Sequence, residues 1–531
     1  MPINCDYIAY KSTGYFSRII TDYLDGSENI KPLIAHPPTI EGISAAIANR
    51  INAPSHRELL VSELRQQYNG LPLSALQQEN LAKLSQDTTF TICTAHQPNI
   101  FTGHLYFIYK ILHTIKLAQE LGRQMPQYHF VPFYYMGSED ADLEELGHIN
   151  LNGEKLEWKT NQTGAVGRMK VDKHLIALIE RIYGELGVLP FGNELSELLR
   201  SAYQEGVTIQ QATLVLVNQL FGEYGLLVLI PDNANLKRPF NPIVKRELTA
   251  QFSHPLVEST AKKLGENYKV QASGRDINLF YLDDGARDRI VFEEGVFRVP
   301  GKVWMTEQVL EELESHPERF SANVILRGLF QEMILPNIAF IGGGGEVAYW
   351  LELKAVFDAA DVPYPVLLLR NSFVLVDKTS RDTVSKLGFS LPEFFAPQDV
   401  LVEKHVRRSS GLQLSLEQER EQFRDSYKHI QDVAAKVDPT LLAHVGALQS
   451  ELDKKFIALE KKMLRAEKRK FESATRQIQW VKSTLFPRNN LQERVDNLSP
   501  WYARYGKQLF DELLACSQTT AQEFGIARLA D

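Results

Sequence analysis

An alternation between apolar, strand-like runs and amphipathic, helix-like runs constrains the fold of this chain more than any other feature. From Thr88 the strand-like runs "TFTICTA" and "YHFVPFYYM" are separated by a helix-like stretch that begins at Leu105. Chains in which strands and helices alternate in this way form mostly parallel sheets covered by helices. Three more apolar runs lead into Gly, Pro or Asp and are predicted as strands: "YGLLVLIPD", "ILPNIAFIGG" and "YPVLLLRNSFVLVD". The sequence therefore predicts an α/β protein whose right-handed crossovers place the carboxyl ends of the strands at one edge.

The pattern changes along the 531 residues, a length that predicts more than one structural unit. Between about Gly153 and Pro317, turns and short antiparallel strand candidates interrupt the α/β rhythm, with "DDG" and "EEG" as hairpin turns. We predict five segments: the first part of the core with an N-terminal segment (1–152), inserted connecting segments that include part of the core (153–320), the second part of the core (321–400), a helical coiled coil (401–490) and a C-terminal segment that packs back on the core (491–531).

Helix-forming residues dominate from about Leu414 to Leu485 and are interrupted once, at "VDPTLLAHVG". Pro439 suits the first turn of a new helix and Asp438 suits its cap, so we predict two antiparallel helices. Apolar residues recur at spacings of three and four along the second helix: Leu441, Val445, Leu448, Leu452, Phe456, Leu459, Met463 and Ala466. This spacing predicts coiled-coil character, with a spare apolar edge that can serve a homodimer.

The charge balance and the cysteines argue against several classes of protein, among them nucleic-acid-binding, disulfide-rich and zinc-binding proteins. The formal net charge of −8 and the pI near 6.0 favour no polyanionic partner, so we expect no nucleic acid. The three cysteines, at positions 5, 93 and 516, form no C-x-x-C pair and predict neither a disulfide framework nor a zinc site. The N-terminal residues lack the apolar core of a signal peptide, and no run reaches membrane-spanning length. We therefore expect a cytoplasmic protein with no membrane partner.

The segment "HQPNIFTGH" concentrates polar residues where the first core strand gives way to a helix. A helix N-terminus carries positive partial charge, and a histidine beside it can bind a phosphate or a developing oxyanion. "TGH" is similar to the second half of the H-x-G-H signature of class I aminoacyl-tRNA synthetases, although Phe101 stands where its first histidine would be. A capping turn with surface histidines explains the segment equally well. The predicted binding residues here are His96, Gln97, Asn99, Thr102, Gly103 and His104.

An acidic segment, "MGSEDADLEELGH", follows the next strand. Carboxylates at a helix start also act as ordinary N-caps and favour the helix dipole, so their charge alone does not establish a site. Beside the histidine segment, however, they can bind an ammonium group, a magnesium ion or a sugar hydroxyl. We assign this role to Glu139, Asp140 and Asp142 as candidate catalytic residues and expect the later carboxylates to face solvent.

A third junction, "AFIGGGGEVAYW", places four glycines between a strand and a helix. The glycines, Gly342 to Gly345, let the backbone approach a ligand, although a tight structural turn is the alternative. We predict binding roles for Gly343, Gly344, Gly345, Glu346 and Tyr349. Arg370 follows an apolar run, and its guanidinium should meet a carboxylate of the protein or of a ligand.

A family resemblance rests on "TGYFSRIITDYL", "TAHQPNIFTGHLYFIYK", "VPFYYMGSEDADLEEL", "NVILRGLFQEMILPNIAFIGGGGEVAYWLELKAVF", "YPVLLLRNSFVLVD" and "LFPRNNLQERVDN". Its most specific part is G-G-x-G-E-x-A-Y-W at Gly342 to Trp350. Through these segments nearly the whole chain resembles the BshC family, the proposed cysteine ligases of bacillithiol biosynthesis. Members commonly show "GQQ" where this chain has Ala95-His96-Gln97, and a proline in place of His104. The resemblance therefore extends to Gln97, Thr102 and Gly103 but to neither histidine.

The resemblance implies a Rossmann-type parallel-sheet core with inserted connecting segments and a C-terminal antiparallel helical coiled coil that supports a homodimer. It also implies a reaction in which the carboxyl group of cysteine is joined to the amine of glucosaminyl malate, giving bacillithiol. Asp140 or Asp142 would position or deprotonate that amine.

Amide formation in water requires activation of the carboxyl group. Analogy with adenylating enzymes suggests ATP or another nucleotide with Mg²⁺, and no zinc is expected. The competing interpretation is a non-catalytic nucleotide-binding scaffold that uses its coiled coil for assembly.

Overall fold

The computed structural model describes residues 4–272 and 274–529. The chain divides into two compact units, each described by itself below. The larger unit comprises Met1–Leu375 and Asn490–Ala527, and the smaller unit comprises Val376–Asn489 and Arg528–Asp531.

The strands of the described residues are β1 (Asn4–Ile8), β2 (Thr89–His96), β3 (His129–Met136), β4 (His148–Leu151), β5 (Glu154–Glu157), β6 (Leu227–Leu229), β7 (Leu279–Asp283), β8 (Ala286–Arg289), β9 (Val291–Glu293), β10 (Val296–Val299), β11 (Lys302–Trp304), β12 (Phe320–Ala322), β13 (Asn337–Gly342), β14 (Val366–Leu369), β15 (Ser372–Val376) and β16 (Phe524–Arg528).

The α-helices of the same residues are α1 (Tyr10–Thr13), α2 (Arg18–Leu24), α3 (Ile40–Arg50), α4 (Arg57–Gln67), α5 (Ala75–Lys83), α6 (Leu105–Gln124), α7 (Leu143–Leu146), α8 (Lys173–Leu186), α9 (Gly192–Ala202), α10 (Ile209–Phe221), α11 (Ala234–Lys237), α12 (Asn241–Ala250), α13 (Ser253–Gly265), α14 (Thr306–Ser315), α15 (Val324–Ile334), α16 (Gly344–Trp350), α17 (Lys354–Ala360), α18 (Lys378–Lys386), α19 (Gln398–Ser409), α20 (Glu417–Val437), α21 (Leu441–Lys468), α22 (Glu472–Leu485), α23 (Ser499–Tyr505) and α24 (Gln508–Cys516).

The centre of the larger unit is a five-stranded sheet in the order β14-β13-β2-β3-β6, and every neighbouring pair in it is parallel. In chain order β2 is the first of these strands, and the chain then moves outward through β3 and β6 before it returns to the other side of β2 with β13. The strand order therefore reverses between β2 and β13, which is where open α/β sheets leave a crevice for ligands. The predicted α/β class with a Rossmann-type core is confirmed.

Apolar side chains pack on the sheet because its strands are buried on both faces. All eight residues of β2 are buried, as a central parallel strand requires. One cluster joins the sheet to α3 and α6, and its members are Ile43, Ala46, Ile47, Phe90, Ile92, Leu117, Ala118, Leu121, Phe130, Ile338, Ala339, Ile341, Val366 and Leu368.

Short antiparallel strands interrupt the core as predicted. β7 pairs with β8 around the "DDG" turn, and β9 pairs with β10 around the "EEG" turn. Glu294 and Gly295 both have positive φ, at 52° and 81°, which is the backbone that a tight two-residue hairpin requires. Both hairpin predictions are confirmed.

One strand prediction is wrong in detail. "YPVLLLRNSFVLVD" forms two strands, β14 and β15, and these lie in different sheets. The backbone N–H of Arg370 still donates to the carbonyl of Gly342 at 2.8 Å, beyond the last paired residues of β14. Its guanidinium then turns to the carbonyl of Asn371 and the hydroxyl of Ser372, at 3.0 and 2.8 Å. Arg370 thus stands between the two strands, and its guanidinium is satisfied by neighbouring polar groups, as a buried charge requires.

The smaller unit contains the predicted helical hairpin of α20 and α21. Arg420 at the start of α20 binds both carboxylate oxygens of Asp453 at 2.9 Å, while Gln431 near its end donates to Gln449, an antiparallel arrangement. The second helix was predicted to continue to Leu485. Instead, a 3-10 turn at Arg469–Phe471 separates α21 from α22. Among the described residues, no helix is both long enough and apolar enough to cross a membrane.

A buried ion pair ties α3 to α15 at the amino-terminal side of the sheet. Arg50 binds the carboxylate of Glu332 at 2.8 Å and also donates to the carbonyls of Glu332 and Asn337, both at 2.9 Å. Both side chains are almost fully buried. Each polar group of the pair is therefore satisfied by the protein itself.

We expect Glu332→Leu to destabilise the larger unit by about 3 to 5 kcal/mol, because it leaves a buried guanidinium without its counter-charge. Glu79→Ala is the matched control, since it removes half of an exposed pair with Lys83 and should cost less than about 1 kcal/mol. Urea unfolding of the three proteins measures the difference. Equal midpoints for the two variants would contradict this account of the Arg50 pair.

Candidate active site

A cavity of about 710 Å³ opens at the carboxyl ends of β2, β3 and β13 in the larger unit. It lies at the reversal of strand order, where the predicted histidine, acidic and glycine segments meet. Its lining residues are Ala95, His96, Gln97, Tyr106, Lys110, Tyr135, Gly137, Ser138, Glu139, Asp140, Glu145, Pro231, Gln271, Ala272, Arg275, Phe280, Arg287, Arg289, Ala322, Asn323, Val324, Arg327, Gly343, Gly344, Gly345, Glu346, Tyr349, Arg370 and Arg494.

The floor of the cavity is fixed by an ion pair between Lys110 of α6 and Glu346 of α16. Lys110 is buried and also donates to the carbonyl of Ala95 at 2.8 Å. The same Glu346 oxygen accepts the backbone N–H of Gly343 at 2.8 Å. Burial lowers the pKa of Lys110, and the adjacent Glu346 carboxylate opposes that shift. Glu346 is thus held by the scaffold, and through it the glycine turn is held against α6.

The four glycines of that turn differ in how much space a side chain would have at each position. A Cβ on Gly342 would come within 2.9 Å of the Phe340 ring and 3.1 Å of the Glu346 Cβ, so packing requires glycine there. At Gly343 and Gly344 the nearest atom would be 3.4 Å away, and at Gly345 nothing lies within 4 Å. All three line the cavity, but a Cβ would meet open space only at Gly345, which is where a ligand can approach the backbone most closely.

Glu139 and Asp140 both line the cavity but have different surroundings. Glu139 forms an ion pair with Lys237 and accepts the Ser321 hydroxyl at 2.9 Å. Asp140 accepts the Gln97 side-chain amide at 3.1 Å, and one of its oxygens lies 3.6 Å from the Arg287 guanidinium. The Asp140 side chain is 36% exposed, compared with 13% for Glu139. Asp140 is therefore the carboxylate of this pair that a ligand can reach.

Asp142, the third candidate catalytic residue, is not among the lining residues. Its carboxylate accepts the backbone N–H of Glu145 at 3.0 Å and caps α7. Glu144 and Glu145 are both exposed, as expected for the later carboxylates, and Glu145 also lines the mouth of the cavity. Burial raises the pKa of Glu145, and the neighbouring Asp142 and Asp140 carboxylates add to that effect.

Only the first two predicted binding residues of the histidine segment lie at the cavity. His96 and Gln97 line the cavity, whereas Asn99, Thr102, Gly103 and His104 do not. The side-chain amide of Asn497 donates to the carbonyls of Phe101 and Gly103, and His104 forms a β-bridge with Asn497. The second half of the segment thus packs against the C-terminal part of the larger unit.

His96 is buried between aromatic rings and has the properties of a neutral imidazole. Its ring centroid lies 5.2 Å from that of Phe107 and 5.4 Å from that of Tyr106. Burial and the nearby charge of Lys110 lower the pKa of His96 well below its usual range. The residue can contribute a hydrogen bond to a ligand, but it supplies no positive charge at neutral pH.

Arg370 meets a carboxylate, as predicted, and that carboxylate belongs to the protein. Its guanidinium binds both oxygens of Glu493 at 2.9 and 2.7 Å, and both side chains are buried. The guanidinium also lies 5.3 Å from the centre of the Tyr106 ring. Sequence reasoning missed Glu493, although it stands in "LFPRNNLQERVDN". Tyr349, another predicted residue, lines the cavity and accepts a hydrogen bond from Arg327 at 2.7 Å.

Four lining arginines form no ion pair with a carboxylate among residues 4–272 and 274–529: Arg327, which donates to Tyr349, and Arg275, Arg289 and Arg494. The last three are exposed. Seven cationic side chains and four carboxylates line the cavity in all, so its net charge is positive although the whole chain is acidic. A positive cavity favours an anionic ligand. No sequence signal distinguishes these arginines from ordinary surface residues.

Within the described part of the chain, no group of three or more His, Cys, Asp or Glu side chains is arranged to hold a metal ion. The expectation that the protein holds no zinc stays a prediction.

Known proteins resemble this chain along nearly its whole length. The family model described as the N-terminal Rossmann-like domain of bacillithiol biosynthesis BshC matches residues 3–371, and the BshC C-terminal coiled-coil domain matches residues 373–529. Relatives named as the proposed cysteine ligase BshC include one from Flavobacterium johnsoniae, 39% identical over 99% of both chains. Another, from Christiangramia forsetii, is 38% identical over 97% of both chains.

A more distant relative with the same name, from Geobacillus kaustophilus, is 28% identical and covers 86% of this chain and 88% of its own. A solved structure of a proposed arginyl-tRNA synthetase from Campylobacter jejuni covers 82% of this chain and 97% of its own, at 12% identity and a TM-score of 0.21, a similarity too low to support an argument. The two family models together span nearly the whole sequence. This chain belongs to the BshC family of bacillithiol biosynthesis.

Proposed function

We propose that this protein is a ligase that joins the carboxyl group of L-cysteine to the amine of glucosaminyl malate, giving bacillithiol. The observation that carries the proposal is the charge pattern of the cavity, where one reachable carboxylate, Asp140, faces the same space as three unpaired arginines. Membership in the BshC family and the names of the relatives support this assignment.

The charge pattern matches the chemistry of the acceptor substrate. Glucosaminyl malate carries an ammonium group on its sugar and two carboxylates on its malate. A carboxylate with partial exposure can accept hydrogen bonds from the ammonium group, and guanidinium groups bind carboxylates in a bidentate manner. Arg289 is well placed for this role, since it lies two residues from Arg287 on β8 and alternate residues of a strand share one face.

Asp140 would act on the amine. An amine attacks a carboxyl carbon only when it is neutral, so a carboxylate that orients the ammonium group and accepts its proton promotes the reaction. Gln97 and Arg287 hold the two oxygens of Asp140 from different sides. Glu139 is held by Lys237 and Ser321, which suits it to positioning.

The cysteine carboxylate requires activation before the amine can attack it. We propose that ATP or another nucleotide, accompanied by Mg²⁺, supplies this activation. The open space beside Gly345 and the exposed guanidinium of Arg494, which also lines the cavity, are compatible with its phosphates. All three cysteines of the protein are free thiols, and we propose that the enzyme works in the reducing cytoplasm, where such thiols are maintained.

Incubation of the purified protein with L-cysteine and glucosaminyl malate, with and without ATP and Mg²⁺, tests the proposal. Mass spectrometry should detect bacillithiol only when the nucleotide is present. If bacillithiol forms without any nucleotide, activation of the cysteine carboxylate by a nucleotide is ruled out. If no nucleoside triphosphate supports product formation by the folded protein, the non-catalytic scaffold would replace the ligase.

The two aspartates of the acidic segment should differ in their effect on rate. Asp140→Asn removes the reachable carboxylate and should lower kcat by ~10²- to 10⁴-fold, the usual range for loss of a general base. Asp142→Asn alters only the cap of α7 and is the matched control. Initial rates of bacillithiol formation measure both, and thermal melting confirms folding. Equal losses in the two variants would remove Asp140 from its proposed role.

Arg289 should determine affinity for the malate carboxylates. Arg289→Ala should weaken binding of glucosaminyl malate by about 10- to 100-fold, because a hydrogen bond between charged groups is lost. The same substitution should not change the affinity for the dimethyl ester of glucosaminyl malate, in which both malate carboxylates have lost their negative charge. Arg298→Ala is the control, since Arg298 lies outside the cavity lining and faces Glu294. Calorimetric titration that finds the same loss with both ligands would contradict the assignment.

We also propose a homodimer through the helical hairpin of the smaller unit. Leu448 and Leu459 of α21 are 41% and 48% exposed, and Val433 and Val437 of α20 are 50% and 77% exposed. Such apolar residues on neighbouring helices are typical of a surface that a partner covers.

The double variant Leu448→Asp and Leu459→Asp should therefore be monomeric in light scattering, because the introduced charges cannot be buried in the interface. Lys454→Asp changes charge at an exposed position of the same helix and should remain dimeric. A dimer that survives the double substitution would exclude this face.

A further inference from the structure

Two of the three cysteines lie beside each other although they come from opposite ends of the sequence. Cys5 belongs to β1, and Cys516 is the last residue of α24; both are in the larger unit. Their thiols are within hydrogen-bonding reach of each other. The hydroxyl of Tyr7, also on β1, donates to the carbonyl of Cys516 at 2.7 Å. The two segments are thus fastened together at the position of the two sulfurs.

The packing around Cys5 also keeps space for its sulfur. A Cβ built on Gly525 of β16 would lie 2.3 Å from the Phe373 ring and 3.2 Å from the Cys5 Sγ. Glycine at this position leaves room for both the ring and the thiol. Cys5 is partly exposed, whereas Cys516 is buried. A small reagent can therefore reach the pair from the side of Cys5.

The contact makes the two thiols chemically unequal. The hydrogen bond between them and burial raise the pKa of Cys5, while the same hydrogen bond lowers the pKa of Cys516. The thiolate is the nucleophile in thiol–disulfide exchange. Cys516 is therefore the better nucleophile of the two and the one suited to make the first attack.

We propose that Cys5 and Cys516 form a reversible disulfide when the protein meets a low-molecular-weight disulfide. In the first step the Cys516 sulfur attacks the small disulfide, forms a mixed disulfide and releases one small thiol, which takes up the Cys516 proton. In the second step the Cys5 sulfur attacks Cys516, displaces the second small thiol and gives it the remaining proton. Two protein thiols are oxidised and one small disulfide is reduced to two thiols.

The disulfide would form close to one wall of the cavity. The segment that follows Cys516 braces the residues that flank Arg370. The carbonyl of Gln518 accepts the side-chain amide of Asn371 at 3.0 Å, and the side chain of Gln522 accepts the backbone N–H of Leu369 at 2.9 Å. This inference does not depend on the proposed ligase reaction, because it concerns only the two thiols.

Treatment of the native full-length protein with oxidised glutathione, followed by denaturation and alkylation, tests the proposal. Two of the three thiols should be lost, and peptide mass spectrometry should find Cys5 linked to Cys516. A link between these residues closes nearly the whole chain into a loop, so the oxidised protein should migrate faster on a non-reducing denaturing gel. Dithiothreitol should restore all three thiols and the original mobility.

Cys5→Ser and Cys516→Ser should each abolish the fast-migrating form, whereas Cys93→Ser should retain it. Cys93 is a suitable control because it is completely buried in β2. Glutathione found separately on Cys5 or Cys516, thiols that do not react, or a disulfide between two copies of the chain would each overturn the proposal.

Discussion

The ion pair between buried Lys110 and partly exposed Glu346 joins the two halves of the α/β core across the reversal of strand order. Lys110 lies on the helix that follows β2, and Glu346 lies on the helix that follows β13. The Lys110 ammonium group is too deeply buried to be tolerated without this counter-charge, so the pair ties the two helices together. The cavity exists because both helices start at the same edge of the sheet. The glycine turn is held open there by the bond from Gly343 to Glu346.

The charges around the cavity fall into two groups with different roles. Lys110, Glu346, Arg370 and Glu493 satisfy one another inside the protein and therefore act as scaffold. Asp140 and the unpaired arginines keep part of their hydrogen-bonding capacity available to a ligand. This separation permits a positive cavity in an acidic protein. The balance of charge in the whole sequence excluded a broad cationic surface, but it could not reveal local charge at one edge of the sheet.

The sequence was sufficient to predict the α/β core and the three junctions that contain the candidate site, because strand ends and helix starts carry local signals. It could not separate Asp140 from Asp142, since both follow the same strand and only the geometry of α7 distinguishes them. It also missed Glu493 and Asn497, because their partners Arg370 and Phe101 are distant in the chain. Such contacts depend on how the C-terminal segment packs, for which a single sequence gives no periodic pattern.

The central claim is that the cavity at the strand reversal binds the acceptor substrate with its amine at the acidic segment. A crystal structure of the enzyme with glucosaminyl malate bound tests this most directly. The account predicts the sugar nitrogen ~3 Å from the carboxylate of Asp140, within hydrogen-bond reach. It also predicts the malate carboxylates at the unpaired arginines. A ligand bound outside this cavity, or one whose amine points away from Asp140, would contradict it.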